Sequence, residues 1–149
     1  MEPTLNTFMN KNLIFFDSSS NLDDIKVFLN SVHKIITFDY ESHKLLEENS
    51  IVHEISDNYV TRDDLVNVQN SCYKFAKWYE NNKFNNLLNY EGINIGSLIE
   101  TELNYFLVSF VKKFIEINKI IETNKTFSFI ASPFLHNLIS PNTDVSYLN

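Results

Sequence analysis

Blocks of hydrophobic and polar positions predict strands and helices that alternate along most of the chain. Short apolar runs bounded by polar or turn residues predict four buried strands, at 12–17, 34–39, 51–56 and 126–132. Between these runs, apolar residues recur every three or four positions, which predicts helices at 22–32, 40–50, 61–81 and about 98–122. The polar stretch NNKFNNLLN (81–89) is expected to be a connector. Thr61 and Asp64 have the spacing of a capping box at the start of the third helix.

The last and longest of these helices has a nearly continuous apolar stripe. Its members recur at helical spacing and are Ile99, Leu103, Phe106, Phe110, Phe114, Ile117 and Ile121. A helix of this length spans roughly 36 Å, the width of a small domain. Tyr105 and Val108 lie off the stripe, so the helix is expected either to lie deep in the core or to pack against another chain.

The alternation of strands and helices predicts the fold class. We expect an α/β fold, a Rossmann-like three-layer sandwich whose mostly parallel sheet of about four strands has helices on both faces. No repeat, low-complexity block or linker interrupts the pattern. The sequence therefore predicts one domain over residues 1–140, followed by a frayed C-terminal tail over 141–149.

Composition and charge exclude several classes of function. The 149 residues include 19 acidic and 12 basic side chains and have a net charge of −7, which argues against a nucleic-acid partner. Arg62 is the one arginine, so at most one bidentate phosphate clamp is available. The one cysteine, Cys72, excludes an internal disulfide and a cysteine-based zinc site.

The sequence also lacks the signals of membrane insertion and of metal binding. Its most apolar run, 105–111, is too short to span a bilayer, and the N-terminus does not have the pattern of a signal peptide. We therefore expect a cytoplasmic protein without a membrane span. The spacing of the histidines matches no zinc motif, so no metal and no cofactor are expected.

The two glycines of the chain, Gly92 and Gly96, lie close together. Their spacing matches neither the dinucleotide-binding fingerprint nor the phosphate-binding loop. Ser97 and Glu100 have capping-box spacing, which predicts a helix start preceded by a glycine hinge. The alternative is that free N–H groups here hold a ligand, and since Glu100 would repel an anion, that ligand would be a neutral polyol.

Polar clusters follow each predicted strand, where ligands of parallel sheets bind. The candidates are Asp17, Ser18 and Ser19 after the first strand; Asp39, Tyr40, Glu41 and His43 after the second; Asp57, Asn58 and Tyr59 after the third; and Ser132 and His136 after the fourth. Each cluster has a structural alternative, because turns and helix caps use the same residue types.

The second cluster has the most chemical potential. Asp39 and His43 are candidate catalytic residues, since a carboxylate that orients an imidazole and tunes its pKa forms a general acid/base pair. Glu41, between them, is a candidate ligand-binding residue along with Asp17 and the third cluster. The alternative is that Asp39 only caps the helix that contains His43.

A longer pattern suggests a family. The segment YEGINIGSLIETELNYFLVSFVKKFIEINKIIE (90–122), followed by TFSFIAS (126–132), resembles part of the N-terminal domain of GT-B-type glycosyltransferases of prokaryotic surface-carbohydrate and polysaccharide biosynthesis. In that family a segment of the form YxGxNxxxLIE precedes a long helix, and a strand near the interdomain cleft follows the helix. The resemblance includes no catalytic motif. It implies a sugar or glycan acceptor near Glu91, Gly92 and Asn94.

Two functions follow from these observations. The resemblance implies a glycosyltransferase-like, acceptor-side domain that is inactive in isolation, because a C-terminal catalytic domain supplies most of the nucleotide-sugar site in such enzymes. The chain is then a glycosyltransferase fragment, and whether it is itself an enzyme stays open. The alternative is a non-catalytic α/β module that binds a partner or forms a homodimer through the long helix.

Overall fold

The computed structural model describes residues 11–30, 33–141 and 143–148. The strands are β1 (Lys11–Phe16), β2 (His33–Thr37), β3 (Glu54–Ile55), β4 (Asn89–Tyr90), β5 (Ile93–Asn94), β6 (Phe127–Ala131) and β7 (Val145–Tyr147). The α-helices are α1 (Leu22–Lys26), α2 (Tyr40–Glu48), α3 (Arg62–Ala76), α4 (Asn82–Leu88), α5 (Glu100–Thr123) and α6 (Pro133–Ile139). Short 3₁₀ helices lie at Ser56–Tyr59, Trp78–Glu80 and Ile95–Ile99.

The chain divides into two compact units. The sheet unit comprises Met1–Asn58 and Ile120–Asn149, and the helical unit comprises Tyr59–Lys119. The five-stranded sheet lies in the first, and the β4–β5 hairpin lies in the second. Each unit is described separately below.

The sheet confirms the predicted α/β, Rossmann-like fold class. Its strand order is β3-β2-β1-β6-β7, and every neighbouring pair is parallel. It has five strands rather than about four, because β7 pairs with β6 from Phe129↔Val145 to Ala131↔Tyr147. The expectation of a frayed tail is therefore wrong for Val145–Tyr147. A three-residue strand gives too short a pattern to be recognised, although the buried Leu148 anchors it.

Both faces of the sheet are buried. The four residues Leu13–Phe16 of β1 are wholly inaccessible to solvent, and successive side chains point to opposite faces. Ile14 and Phe16 belong to a core cluster with Ile25 of α1 and Leu46 of α2. On the other face the ring of Phe15 lies 5.6 Å from that of Phe38 and 5.7 Å from that of Phe129. This continuous apolar run is typical of a parallel strand covered on both sides.

Several predicted boundaries differ from those observed. Helix α1 ends at Lys26 rather than near 32, and β3 is limited to two residues. The third helix ends at Ala76 and is followed by a 3₁₀ turn, while the expected polar connector forms α4. The capping box at Thr61 is confirmed, since Asp64 N–H donates to Thr61 Oγ1 over 3.2 Å and Thr61 N–H donates to the Asp64 carboxylate over 2.7 Å.

The long helix α5 is confirmed, with 24 residues from Glu100 to Thr123. Its start differs from the prediction. The 3₁₀ helix Ile95–Ile99 precedes it and is capped by Asn94, whose Oδ1 accepts from Gly96 N–H over 2.9 Å. Ser97 Oγ donates instead to the Asn94 carbonyl. Among the residues described, no helix has both the length and the apolar character needed to cross a bilayer.

The predicted Ser97–Glu100 capping box is therefore wrong, and a more distant contact explains why. The carboxylate of Glu100 accepts a hydrogen bond from the hydroxyl of Tyr79, a buried residue of the 3₁₀ helix Trp78–Glu80. This bond, together with burial, raises the pKa of Tyr79. A tertiary partner thus replaces the local one that the spacing suggested.

The two glycines have different roles in the structure. Gly92 has φ +86° and follows Glu91 at φ +50°, so the pair forms the two-residue turn between β4 and β5. Gly96 has an ordinary backbone conformation but lies against Tyr79. A Cβ at position 96 would lie 2.8 Å from Cγ of Tyr79 and closer still to its Cβ.

We predict that alanine at these two positions destabilises the chain for different reasons. Gly96→Ala should lower the free energy of unfolding by about 2 kcal/mol through overpacking against Tyr79. Gly92→Ala should cost about 1 kcal/mol through its left-handed backbone alone. Because asparagine tolerates that conformation, Gly92→Asn should be nearly neutral whereas Gly96→Asn should be worse than Gly96→Ala. Urea denaturation followed by circular dichroism measures all four, and equal effects of asparagine at both positions would contradict these roles.

Candidate functional site

The carboxyl edge of the sheet unit is the place where a ligand is expected. From β1, the strands β2 and β3 follow in order toward one side of the sheet, whereas β6 and β7 lie on the other side of β1. In open parallel sheets, ligands bind beyond the strand ends where the order reverses in this way. That point lies between β1 and β6, so the loops that begin at Asp17 and Ser132 flank it.

Asp17 is the buried centre of this edge. Its side chain is 3% exposed, and its Oδ1 accepts from Ser19 N–H over 3.1 Å, from Ser19 Oγ over 2.5 Å and from Ser132 Oγ over 2.7 Å. Ser132 is fully buried. The carboxylate therefore fastens the loop after β1 to the loop after β6 through one oxygen.

Three polar atoms at this edge lack a hydrogen-bond partner in the described residues: Oδ2 of Asp17, Oγ of Ser20 and Nδ1 of His136. Within the described part of the chain, no residue donates to Oδ2 of Asp17, and the buried hydroxyl of Ser20 has no hydrogen bond. Ser20 follows directly in the same loop, where its N–H donates to the Asp17 carbonyl. Buried polar groups are nearly always hydrogen-bonded, so the buried Oγ of Ser20 and Nδ1 of His136 are atoms that a bound molecule would satisfy.

Asp39 links the start of α2 to the loop that follows β1. Its Oδ1 accepts from Ser42 N–H over 2.8 Å as the N-cap of α2, and its Oδ2 accepts from Ser18 N–H over 2.9 Å in the loop after β1. Burial raises the pKa of this carboxyl, but the N–H groups of Ser18 and Ser42 outweigh it and hold the pKa below the ordinary value. Asp39 therefore caps α2, which is the alternative role that the sequence left open. It also holds this helix to the loop after β1.

His43 pairs with another histidine. Its Nδ1 lies 2.7 Å from Nε2 of His53, whose own Nδ1 lies 2.7 Å from the carbonyl of Ile51. Because only an N–H can donate to that carbonyl, Nε2 of His53 is the acceptor, and Nδ1 of His43 carries the proton between the rings. This leaves Nε2 of His43 as the ring nitrogen without a proton, and the Glu47 carboxylate lies 3.9 Å from it. The carboxylate next to the His43 ring is thus that of Glu47, while Asp39 is engaged in the cap.

The other predicted ligand residues lie in several places. Glu41 is exposed in the first turn of α2, and Asp57 and Asn58 are exposed in the 3₁₀ helix that follows β3. Tyr59 ends that 3₁₀ helix and begins the helical unit. Glu91, Gly92 and Asn94 lie in the hairpin and the cap of the helical unit. The sheet edge therefore brings together Asp17 and Asp39, through the serines between them.

Sequence patterns did not indicate two of the side-chain contacts in the sheet unit. Tyr147, in the segment expected to be a tail, stacks on His136 of α6 with ring centroids 3.6 Å apart. His53 was expected to be a packed or edge residue of a strand rather than the partner of His43. Neither pair has a recognisable spacing, since the partners are brought together by the sheet.

The charge of the edge limits what it can bind. The segments 17–21, 38–43, 56–61 and 131–136 contain no lysine or arginine. In the described ranges, no three His, Cys, Asp or Glu side chains are grouped so that they could hold a metal ion. Lys44 and Arg62 directly follow two of these segments, but Lys44 pairs with Glu48 and Arg62 belongs to the helical unit. Within the loops themselves a phosphate would meet carboxylates, whereas a neutral molecule with several hydroxyl groups would find acceptors and donors.

Comparisons with known proteins add no assignment. Neither the protein-family models, nor the curated proteins, nor the solved structures contain a match to this chain. The function is therefore inferred from the geometry of the site.

We predict that the contribution of Asp39 to stability depends on pH. Because its folded-state pKa lies below the ordinary 3.8, the carboxylate stabilises the fold fully above that value, and this contribution is lost as the pH falls through the folded-state pKa. Asp39→Ala should lower the free energy of unfolding by about 1–2 kcal/mol at pH 7. Urea denaturation at pH 7, 5, 4 and 3 should show the deficit shrinking only below about pH 4. A deficit that is the same at every pH would contradict a charged cap.

Proposed function

We propose that the sheet unit is a glycosyltransferase-like, acceptor-side domain that binds a sugar or another neutral polyol at the carboxyl edge of β1, β2 and β6. The observation that carries the proposal is the buried carboxylate of Asp17, which has one oxygen saturated by serines and the other without a partner in the described chain. The edge lies where the strand order reverses, the usual location of ligands in this class of fold.

The chemistry of the edge favours a polyhydroxy ligand. A carboxylate oxygen accepts strong hydrogen bonds from hydroxyl groups, and the hydroxyl of Ser20 can donate or accept. Tyr147 is half exposed and presents a ring next to His136 at the end of β7. The absence of basic residues from the segments named above argues against a phosphorylated ligand.

The same proposal assigns roles to the candidate catalytic residues. Nε2 of His43 would accept the proton of an acceptor hydroxyl, and Glu47 would stabilise the resulting imidazolium. Asp39 is a positioning residue, because both of its oxygens are engaged by backbone N–H groups. Transfer itself requires an activated sugar donor and the groups that bind it, so the proposal assigns binding, rather than turnover, to the sheet unit alone.

Ligand-observed NMR with the full chain tests the binding. We predict saturable signals with neutral probes (glucose, galactose, N-acetylglucosamine or glycerol) and weaker or absent signals with glucose 6-phosphate. Asp17→Asn removes the charge but keeps a carbonyl acceptor for the serines, so it should preserve the fold and weaken binding about tenfold, the effect of losing one charge-assisted hydrogen bond.

Asp144 supplies the matched control. It is exposed directly before β7, at the opposite edge of the sheet, so Asp144→Asn should leave binding unchanged. The proposal is contradicted if no neutral probe binds the wild-type chain, if glucose 6-phosphate binds better than glucose, or if Asp17→Asn binds as well as the wild type.

A further inference from the structure

The long helix α5 leaves an aromatic ridge open to solvent in the helical unit. We define the α5 ridge as Phe106 and Phe110, which are 62% and 42% exposed. The rings of Phe106 and Phe110 stack with centroids 5.9 Å apart and an interplanar angle of 15°. Contiguous apolar surface of this kind marks a site of protein–protein contact.

A groove runs next to the ridge. A cavity of about 300 Å³ lies between α3 and α5, lined by Ser71, Cys72, Phe75, Leu107 and Val111. Leu107 and Val111 each follow a ridge residue by one position, so ridge and groove are neighbours on one surface. Phe75 is also exposed and extends the apolar surface onto α3. A ridge beside a groove suits a partner that presents the same two features.

The charges on the same face of α5 indicate which partner fits. Glu102 lies four residues before Phe106, and Lys113 lies three residues after Phe110, so acidic and basic groups flank opposite ends of the ridge. A second copy packed antiparallel about a twofold axis near Phe106 and Leu107 brings Glu102 to within about 3 Å along the axis of the level of Lys113 of the partner subunit. Twofold symmetry forms this pair twice. A parallel arrangement would place like charges together.

We propose that two copies of this chain associate through antiparallel α5 helices, with the ridge of each copy in the α3–α5 groove of the other and Glu102 paired with Lys113 of the partner subunit. The self-complementary order of acid, aromatic ridge and base is what selects a second copy as the occupant. The association does not depend on the sugar-binding proposal, since it uses only residues of the helical unit.

Sedimentation equilibrium of the full chain tests the association. The wild type should have a mass near 35 kDa, twice the 17.5 kDa of one chain. Phe106→Asp should give a 17.5 kDa monomer with an unchanged circular dichroism spectrum, because the side chain is on the surface. Val52→Asp is the matched control: Val52 is 92% exposed but belongs to the sheet unit, so this variant should remain dimeric.

A charge exchange tests the antiparallel register. Glu102→Lys and Lys113→Glu should each raise the dissociation constant about tenfold, because each puts two like-charged pairs into the interface. The double variant restores opposite charges and should return the constant close to the wild-type value. A monomeric wild type, a dimer that withstands Phe106→Asp, or a double variant weaker than both single variants would overturn the proposal.

Discussion

The buried carboxylate of Asp17 joins the loops that follow the two central strands of the sheet. Burying a carboxylate is costly unless hydrogen bonds replace its hydration, and here Ser19 and Ser132 supply the donors. Asp17 and Ser132 are 115 positions apart, and the whole helical unit lies between them in the sequence. Their hydrogen bond therefore helps to hold β1 beside β6. The reversal of strand order, and with it the edge where a ligand would bind, depends on that pairing.

The helical unit has a comparable organising residue. Tyr79 is buried, lies against the backbone of Gly96 and donates its hydroxyl proton to Glu100 at the start of α5. This arrangement fixes the direction in which α5 begins, while the ion pair of Lys119 with Asp64 joins its later turns to the start of α3. Both units thus contain a polar contact between distant segments, which is buried at Asp17 and partly buried at Tyr79.

Local signals predicted most of the fold, and distant partners account for what they missed. The apolar run of β1, the cap at Thr61 and the stripe of α5 each act within a few residues, so their patterns can be recognised in the sequence. The cap proposed at Ser97 was wrong because Tyr79, 21 residues before Glu100, takes its carboxylate. The positions of Asp17 and Asp39 at strand ends followed from the topology, and their partners Ser19 and Ser42 are local. The contacts of Asp17 with Ser132, of Asp39 with Ser18 and of His43 with His53 arise only when the sheet forms.

A double-mutant cycle between Asp17 and Ser132 tests the central contact most directly. Free energies of unfolding from urea denaturation of the wild type, Asp17→Ala, Ser132→Ala and the double variant give the coupling between the two side chains. A buried hydrogen bond to a charged acceptor predicts a coupling of about 1.5–3 kcal/mol, so that the double variant is little worse than Asp17→Ala. Effects that add to within about 0.5 kcal/mol would contradict the role of Asp17 as the link between β1 and β6.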